Sequence, residues 1–568
     1  MSANVCIIIA IVVYLGAMLY VGFAFSKNNN NAEDFYLGGR KMGPFVTAMS
    51  AEASDMSSWL LMGLPGVAYL SGICSAAWTA IGLGIGTWLN WFFVSRRLRR
   101  YSSNIGAITV PDFFSKRYHD NKNIINAIAA LVIIIFFVPY TASGFAACGK
   151  LFHTLFGVDY MAAMIVSALV IIGYTIMGGF GAVCTTDLIQ SIVMSLALVT
   201  VVTYGINSAG GFAAVMDNAR SLPGYLSLNN TFDAANNTSN SFSFISIVST
   251  LAWGIGYFGM PHILVRFMAI EDEKKLTLSR RIASVWVVIA MTVGIFIGVV
   301  GLAMTKAGSL ENLADSETVI VRITGLISRH GVLAALIAGV ILAGILAATM
   351  STSDSQLLTA ASGVSQNILH DFFHVEMDEK KSLFTARLTI IGISIVSIFM
   401  ARNPNSSVFG IVSFAWAGFG ASFGAVMLCA LFWRRSTLVG ALSGMVAGGD
   451  VADNDLQRHD GDLLYGGLAV VELLHVVGGH ALLLQAAHQV VGHAVVDGAF
   501  AGDGALFQAV EGGGVVLVGD DDNLRVAGGV DLLGLALIEL LLFLKTHLKF
   551  PPSEFFYLFQ RLPVPSWP

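Results

Sequence analysis

Ala51-Glu52-Ala53-Ser54-Asp55-Met56-Ser57-Ser58-Trp59 sits inside an apolar run from about 43 to 72 and places two carboxylates where a segment crossing hydrocarbon ordinarily has none. A charge at the centre of such a span costs about 2.5–3.5 kcal/mol on insertion scales, so it points to function. Small and hydroxyl residues surround Asp55, and Gly63, Pro65 and Gly66 follow. These residues weaken a continuous helix, and a broken helix frees backbone carbonyls. Carbonyl, hydroxyl and carboxylate oxygens together are what a hard cation such as sodium takes. The alternative is local: Asp55 caps a half-helix, or the serines bond back to their own turn.

The run belongs to a series. Apolar stretches long enough to cross about 30 Å of hydrocarbon lie at Val5–Phe25, 43–72, 76–95, 124–149, 160–183, 187–207, 242–265, 282–304, 331–367, 384–401 and 407–433, and a twelfth begins near Thr437. Across all 568 residues, 55% are hydrophobic and 12% charged, with mean hydropathy +0.74. A soluble protein carries about twice that share of charge. Soluble enzymes, disulfide-stapled domains and disordered chains are thereby excluded, leaving an all-α polytopic membrane protein. Five scattered cysteines offer neither a disulfide frame nor a zinc site. No basic stretch interleaves with aromatics, so nucleic acid is not an expected partner. The first run lacks a preceding basic segment and reads as a retained span rather than a signal peptide. With the N-terminus outside, 20 basic residues, among them Arg96, Arg97, Arg266 and Lys380, fall in cytoplasmic loops and 6 outside, which fixes the orientation.

A second interruption answers the first: Trp253-Gly254-Ile255-Gly256-Tyr257-Phe258-Gly259-Met260-Pro261, in the seventh span. Glycine in membranes also serves plain helix packing, but three Gly and a Pro beside Trp and Tyr suit an unwound segment lining a pocket. Spans two and seven are five apart, so spans 2–6 and 7–11 make two sets of five. An odd number per set inverts one set against the other, and paired breaks at corresponding positions mark a transporter's central site. The ninth span adds Thr349, Ser351, Thr352, Ser353 and Ser355, hydroxyls suited to completing a cation shell. Asp187 opens the sixth span, as a site residue or only as a helix N-cap.

Composition changes abruptly near 450. Residues 1–449 hold 26 Lys and Arg against 21 acids, and 450–568 hold 5 against 15. All 20 Met precede the change, and the stretch 450–544 has no Ser, Thr or Lys. The twelfth run stops after Gly449, where Asp450, Asp453 and Asp455 arrive. The expected division is a transmembrane domain, 1–449, truncated in its twelfth helix, and an atypical tail, 450–568, shifted in reading frame or disordered. A genuine cytoplasmic tail is the alternative.

Phe35-Tyr36-Leu37-Gly38-Gly39-Arg40, Gly43-Pro44-Phe45, Ser54-Asp55-Met56-Ser57, Leu60 to Gly66, Trp253 to Arg266 and Ala347 to Leu358 resemble the sodium/solute symporter family, and within it the proline-carrying members. The likeness runs from the N-terminus to about Gly449. It implies a leucine-transporter-like core of two inverted five-helix repeats behind an N-terminal helix. It implies sodium held by Ala53, Met56, Ala348, Ser351 and Thr352, with Asp55 essential to the binding. It implies a proline pocket of Ser57, Trp59, Tyr140, Trp253, Tyr257, Pro261 and Gly339. Sodium is then the coupling ion, with no cofactor and no obligate protein partner, in a multi-pass protein of the inner (plasma) membrane. The chain departs from the family at Ser58, commonly Gly, and at Glu52, Gly in some members, where two like charges stand one turn apart and repel.

The expected activity is sodium-coupled uptake of L-proline by alternating access. Alternatives are another small solute, or an inactive product of a damaged gene, for which the tail argues. A transporter-like sensor would need kinase boxes that the tail lacks. An enzyme is not expected, since no nucleophile–base pair, metal motif or phosphate loop occurs.

Overall fold

The computed structural model describes residues 2–29, 31–403, 408–458, 505–510 and 514–519, and within them the chain is almost wholly helical. Hydrocarbon offers backbone groups no other partner, so apolar runs satisfy their own N–H and C=O groups as helices. Among the described residues seven helices are long and apolar enough to cross a membrane, or eight when the bent pair Phe244–Gly259 and Pro261–Ala269 counts as one span. The chain is a multi-pass membrane protein.

The remaining runs read from the sequence are helical but interrupted. Pro44–Ser58 continues through a wide π-helical turn, Trp59–Gly63, into Leu64–Ser71. Ile73–Leu89 continues through a similar turn, Asn90–Val94, into Ser95–Asn104. The runs at 160–183 and 187–207 form one helix, Tyr160–Ser208, folded at Gly179 (φ 58°, ψ −162°). The break therefore falls before the expected one, and Asp187 lies inside the helix rather than at its start. Helix starts carry the expected caps: Asp159 accepts from the Ala162 N–H, and Asp378 from the Lys381 N–H.

The helix Val332–Ser362 is the axis of the bundle. It packs against Ala3–Phe25, Pro44–Ser58, Ile124–Phe156 and Tyr160–Ser208, and from Ile341 to Leu358 every residue is buried. The break in the second span is at Ser57 (φ 35°, ψ −170°), six residues before Gly63, which with Pro65 and Gly66 continues into helix. In the seventh span Trp253–Gly259 is a 3₁₀ segment, and Pro261 restarts an α-helix, Pro261–Ala269, bent by 46° from the first part. Its glycines are close-approach positions. A Cβ on Gly254 would lie 1.9 Å from the Gly82 carbonyl oxygen, and one on Gly259 2.1 Å from that of Phe419. The break and the packing use the same residues.

The twelfth helix, Leu438–Arg458, continues past the composition change, and its apolar part is Leu438–Gly449. In a separate unit, residues 478–568, Ala505–Val510 pairs antiparallel with Gly514–Gly519. What was expected of the rest of the tail lies outside the described residues.

Replacing Gly254 by Ala forces two backbones apart, and overpacking of this kind costs about 1–3 kcal/mol or more. Gly84→Ala is the matched control, since its Cβ would meet only Val288 at 3.8 Å. Thermal unfolding in detergent should fall by several degrees for Gly254→Ala and stay within error for Gly84→Ala. Equal shifts would show that the approach at Gly254 is not tight.

Candidate functional site

Ser57 is a non-glycine residue in left-handed backbone, a conformation that costs about 1–3 kcal/mol and persists only where surroundings hold it. Its hydroxyl accepts the Trp59 N–H at 3.1 Å, capping the restart. On the preceding turn the Ala53 carbonyl accepts the Ser351 hydroxyl at 2.8 Å. The Ser351 hydroxyl also lies 3.2 Å from the Ala348 carbonyl, which accepts from Thr352 at 3.2 Å. Four of the expected sodium ligands, Ala53, Ala348, Ser351 and Thr352, are thus within hydrogen-bond reach of one another and fully buried. Met56, whose carbonyl accepts the Trp59 N–H, is one turn further along.

Among the described residues the Asp55 carboxylate accepts no hydrogen bond from Ser351 or Thr352. It accepts the Tyr257 hydroxyl and lines an enclosed cavity with Met56, Trp59, Leu83, Trp253, Val412 and Trp416. It is the one charged group of that lining. The walls are aromatic: Trp59 and Trp253 meet edge to face at 5.5 Å, and Trp416 packs at 5.0 Å against Tyr257, which lies behind the lining. Tyr140 is buried, with Ser57 and Trp416 as its polar neighbours. The cavity holds about 10 Å³, room for one water, so the arrangement is closed and a solute needs the aromatic walls to part.

Of the seven expected pocket residues, Trp59 and Trp253 line the cavity, while Ser57, Tyr140, Tyr257, Pro261 and Gly339 lie outside its lining. Pro261 supplies the first turn of the restarted helix and is outside the cavity lining. Gly339 faces the N-terminal helix, where a Cβ would lie 2.6 Å from the Ala10 side chain. It is twelve residues before Ser351 on one helix, about 18 Å along its axis, and is corrected to a packing position. Trp416, Val412 and Leu83 were missed. Trp416 carried a signal, a tryptophan flanked by small residues in Ala415-Trp416-Ala417-Gly418.

A second polar group was hidden by assigning Arg266 to a cytoplasmic loop. Arg266 is 1% exposed and Asp187 0%. Its Nη2 lies 2.9 Å from Asp187 Oδ2, its Nε donates to Ser50 at 2.7 Å, and Nη2 also donates to Ser355 at 2.6 Å. Ser50 donates to Asp187 at 2.6 Å, and Tyr174 donates to Asp354 at 2.7 Å. A lone arginine would have gone to water; paired with Asp187 it stays inside, joining the second, sixth, seventh and ninth spans. Asp187 is an ion-pair partner, not a cap.

Removing one partner of a buried pair leaves an uncompensated charge, at about 3–5 kcal/mol. Arg266→Ala and Asp187→Ala should each sharply lower folded yield and melting temperature. Arg266→Met combined with Asp187→Leu should recover most of that loss. A double variant as unstable as the singles would mean that the hydroxyl partners, not the charge balance, set the cost.

The family model for the sodium:solute symporter family matches residues 35–448. The chain is 39% identical over 451 residues to a sodium/proline symporter of Staphylococcus aureus, covering 79% of this chain and 85% of that protein. It is 38% identical over 454 residues to the sodium/proline symporter of Escherichia coli, covering 79% and 87%. Among solved structures, a sodium-coupled sialic acid symporter in a substrate-bound outward-open state superposes with TM-score 0.69 at 19% identity, covering 84% of this chain and 98% of that one. This likeness gives the leucine-transporter-like fold that the resemblance implied. The matched region ends within one residue of the composition change at Gly449. The chain belongs to the sodium:solute symporter family.

Proposed function

We propose that this chain takes up L-proline with sodium across the plasma membrane by alternating access, its N-terminus outside. One observation carries the reading. Carbonyl and hydroxyl oxygens of Ala53, Ala348, Ser351 and Thr352 converge at the Ser57 break, and the other side of that break opens on an aromatic cavity with one carboxylate. The oxygens suit a desolvated sodium ion. The rings of Trp59, Trp253 and Trp416, with Tyr257 behind Trp416, suit a compact apolar ring, giving large contact area at little rotamer cost. Asp55 suits the ammonium of an amino acid and adds negative charge near the ion. The names of the relatives at 38–39% identity support proline as the solute. The excess of basic residues in alternate loops survives the removal of Arg266 from the count and supports the orientation.

Sodium at the break orders the segment that carries Asp55, so each ligand raises the affinity for the other, and that reciprocity links the two fluxes. The sodium gradient and membrane potential supply the work, about 2.3 kcal/mol per charge per 100 mV. The test is uptake of radiolabelled proline into vesicles with and without an inward sodium gradient. Uptake should require the gradient. Equal uptake without sodium, or none with it, would overturn the proposal.

Ser351→Ala with Thr352→Ala should raise the sodium concentration for half-maximal uptake and leave uptake at saturating sodium less affected. A loss of proline affinity at saturating sodium with the sodium dependence unchanged would move these hydroxyls to the solute site. Tyr257→Ala should weaken proline binding by about 1–3 kcal/mol, the usual contribution of a buried apolar side chain. Asp55→Asn should abolish sodium-stimulated uptake while the protein remains folded by size exclusion. Unchanged sodium activation in that variant would remove Asp55 from the site.

A further inference from the structure

An exposed aromatic row runs along the outside of the bundle. Trp88 and Phe92 stack almost parallel, with ring centroids 5.0 Å apart and planes at 6°. Phe93 meets Phe92 edge on at 4.9 Å, and Phe432 follows at 6.4 Å. Each of the four is 42–47% exposed. An arginine lies over each end of the row. Arg280, from Leu276–Lys306, sits over Phe92 at 5.0 Å and Trp88 at 5.7 Å, and Arg97 sits over Phe432 at 4.2 Å. Arg97 also donates to the Leu431 carbonyl at 3.4 Å. Arg280 is half-buried, and among the described residues no carboxylate pairs with it and no oxygen accepts from it. A guanidinium carries five N–H donors in one plane; stacking covers a face and leaves those edge donors free. The acids of the preceding loop are engaged: Glu273 binds Arg100, Glu271 binds Lys275, and Asp272 accepts the Lys274 N–H.

On one side of Arg280 the surface is apolar. Ile81 and Ile85 continue the Trp88 stripe at helical spacing and are exposed, as are Val285 and Val288 on the helix of Arg280. Between the two helices Gly84 leaves a shallow groove, since a Cβ there would meet only Val288, at 3.8 Å. Leu276–Lys306 has 31 residues, so it is about 46 Å long against about 30 Å of hydrocarbon, and its second turn, with Arg280, lies at headgroup depth. A phosphate takes two parallel N–H bonds from a guanidinium. Arg96, one turn beyond Phe92, and Arg281 add positive charge that repels the choline or ethanolamine of a zwitterionic headgroup, so a net anionic one is favoured. We infer that the groove between Ile73–Leu89 and Leu276–Lys306, under Arg280, binds an anionic phospholipid, its phosphate on the free donors of Arg280 and its acyl chains along the apolar stripe. The inference rests on the membrane placement of these helices and is independent of the solute carried.

The test is quenching of Trp88 fluorescence by brominated lipids in the full-length chain reconstituted in bilayers. The Trp88 share is the part lost in Trp88→Phe, which keeps a ring under Arg280. With brominated phosphatidylglycerol or brominated phosphatidylcholine mixed into unlabelled lipid, wild type should favour the anionic lipid at Trp88 by about fivefold, the usual effect of one arginine near a charged surface. Arg280→Gln should bring the ratio close to one. Arg402→Gln, at an arginine that lies over Phe399 at 3.6 Å beyond the helix Glu379–Met400, should leave it unchanged. Equal binding of the two lipids by wild type overturns the site and leaves an ordinary lipid-facing surface. A preference that persists in full in Arg280→Gln overturns it too, because the diffuse charge of the basic loops then suffices. Loss of the preference in excess inorganic phosphate at constant ionic strength would put a free anion at the arginine. No Trp88 quenching by either lipid would mean that protein covers the groove. Each of these last two outcomes also overturns the lipid site.

Discussion

A helix broken inside a membrane exposes carbonyls to surroundings that offer no water, so each freed oxygen must find a donor or a cation. That constraint organises the centre of this molecule. At Ser57 the second span leaves helical geometry, and the price is met from the axial helix, where Ser351 donates to Ala53 and Thr352 to Ala348. The hydroxyls serve the closed arrangement as donors, and on the proposed reading they serve the ion as ligands. Hydrogen bonds already fix these oxygens in place, so the proposed sodium site is organised before an ion arrives. On the same segment the Asp55 carboxylate accepts the Tyr257 hydroxyl and lines the aromatic cavity. The proposed ion and solute sites are thus two faces of one short segment.

The break is held by two devices of different chemistry. On one side glycines bring backbones together: Gly254 against Gly82 and Gly86, and Gly259 against Phe419. On the other, the Arg266–Asp187 pair, with Ser50 and Ser355, pins the restarted seventh span to the second, sixth and ninth. The ion pair replaces hydrophobic packing with directional contacts. These contacts fix the relative position of four elements, which sliding apolar surfaces do not.

Much of this was legible in the sequence, and what was not failed for identifiable reasons. The two interruptions were visible because charge, Gly and Pro are rare in apolar runs, and their separation by five spans gave the inverted architecture. The hydroxyl cluster at 349–355 was visible for the same reason. The break itself was misplaced, because Gly63, Pro65 and Gly66 look like breakers, yet Pro65 lies in the first turn of a helix, where its missing N–H costs nothing. Ser57 carries no such mark. Arg266 was misread because loop counting treats every arginine as solvated, and its partner lies 79 residues away in the chain. Gly339 was carried by resemblance, and only its contact with Ala10 reveals a packing role. Trp416 needed the third dimension, since nothing in sequence ties the eleventh span to the second and seventh.

The central claim is that ion and solute meet across one break and therefore bind cooperatively. Linkage makes that claim measurable without transport. The dissociation constant of proline should be determined on the purified chain with and without saturating sodium, and that of sodium with and without saturating proline. Both should tighten, and by the same factor, since the coupling free energy is shared. Proline binding that is indifferent to sodium would contradict the account.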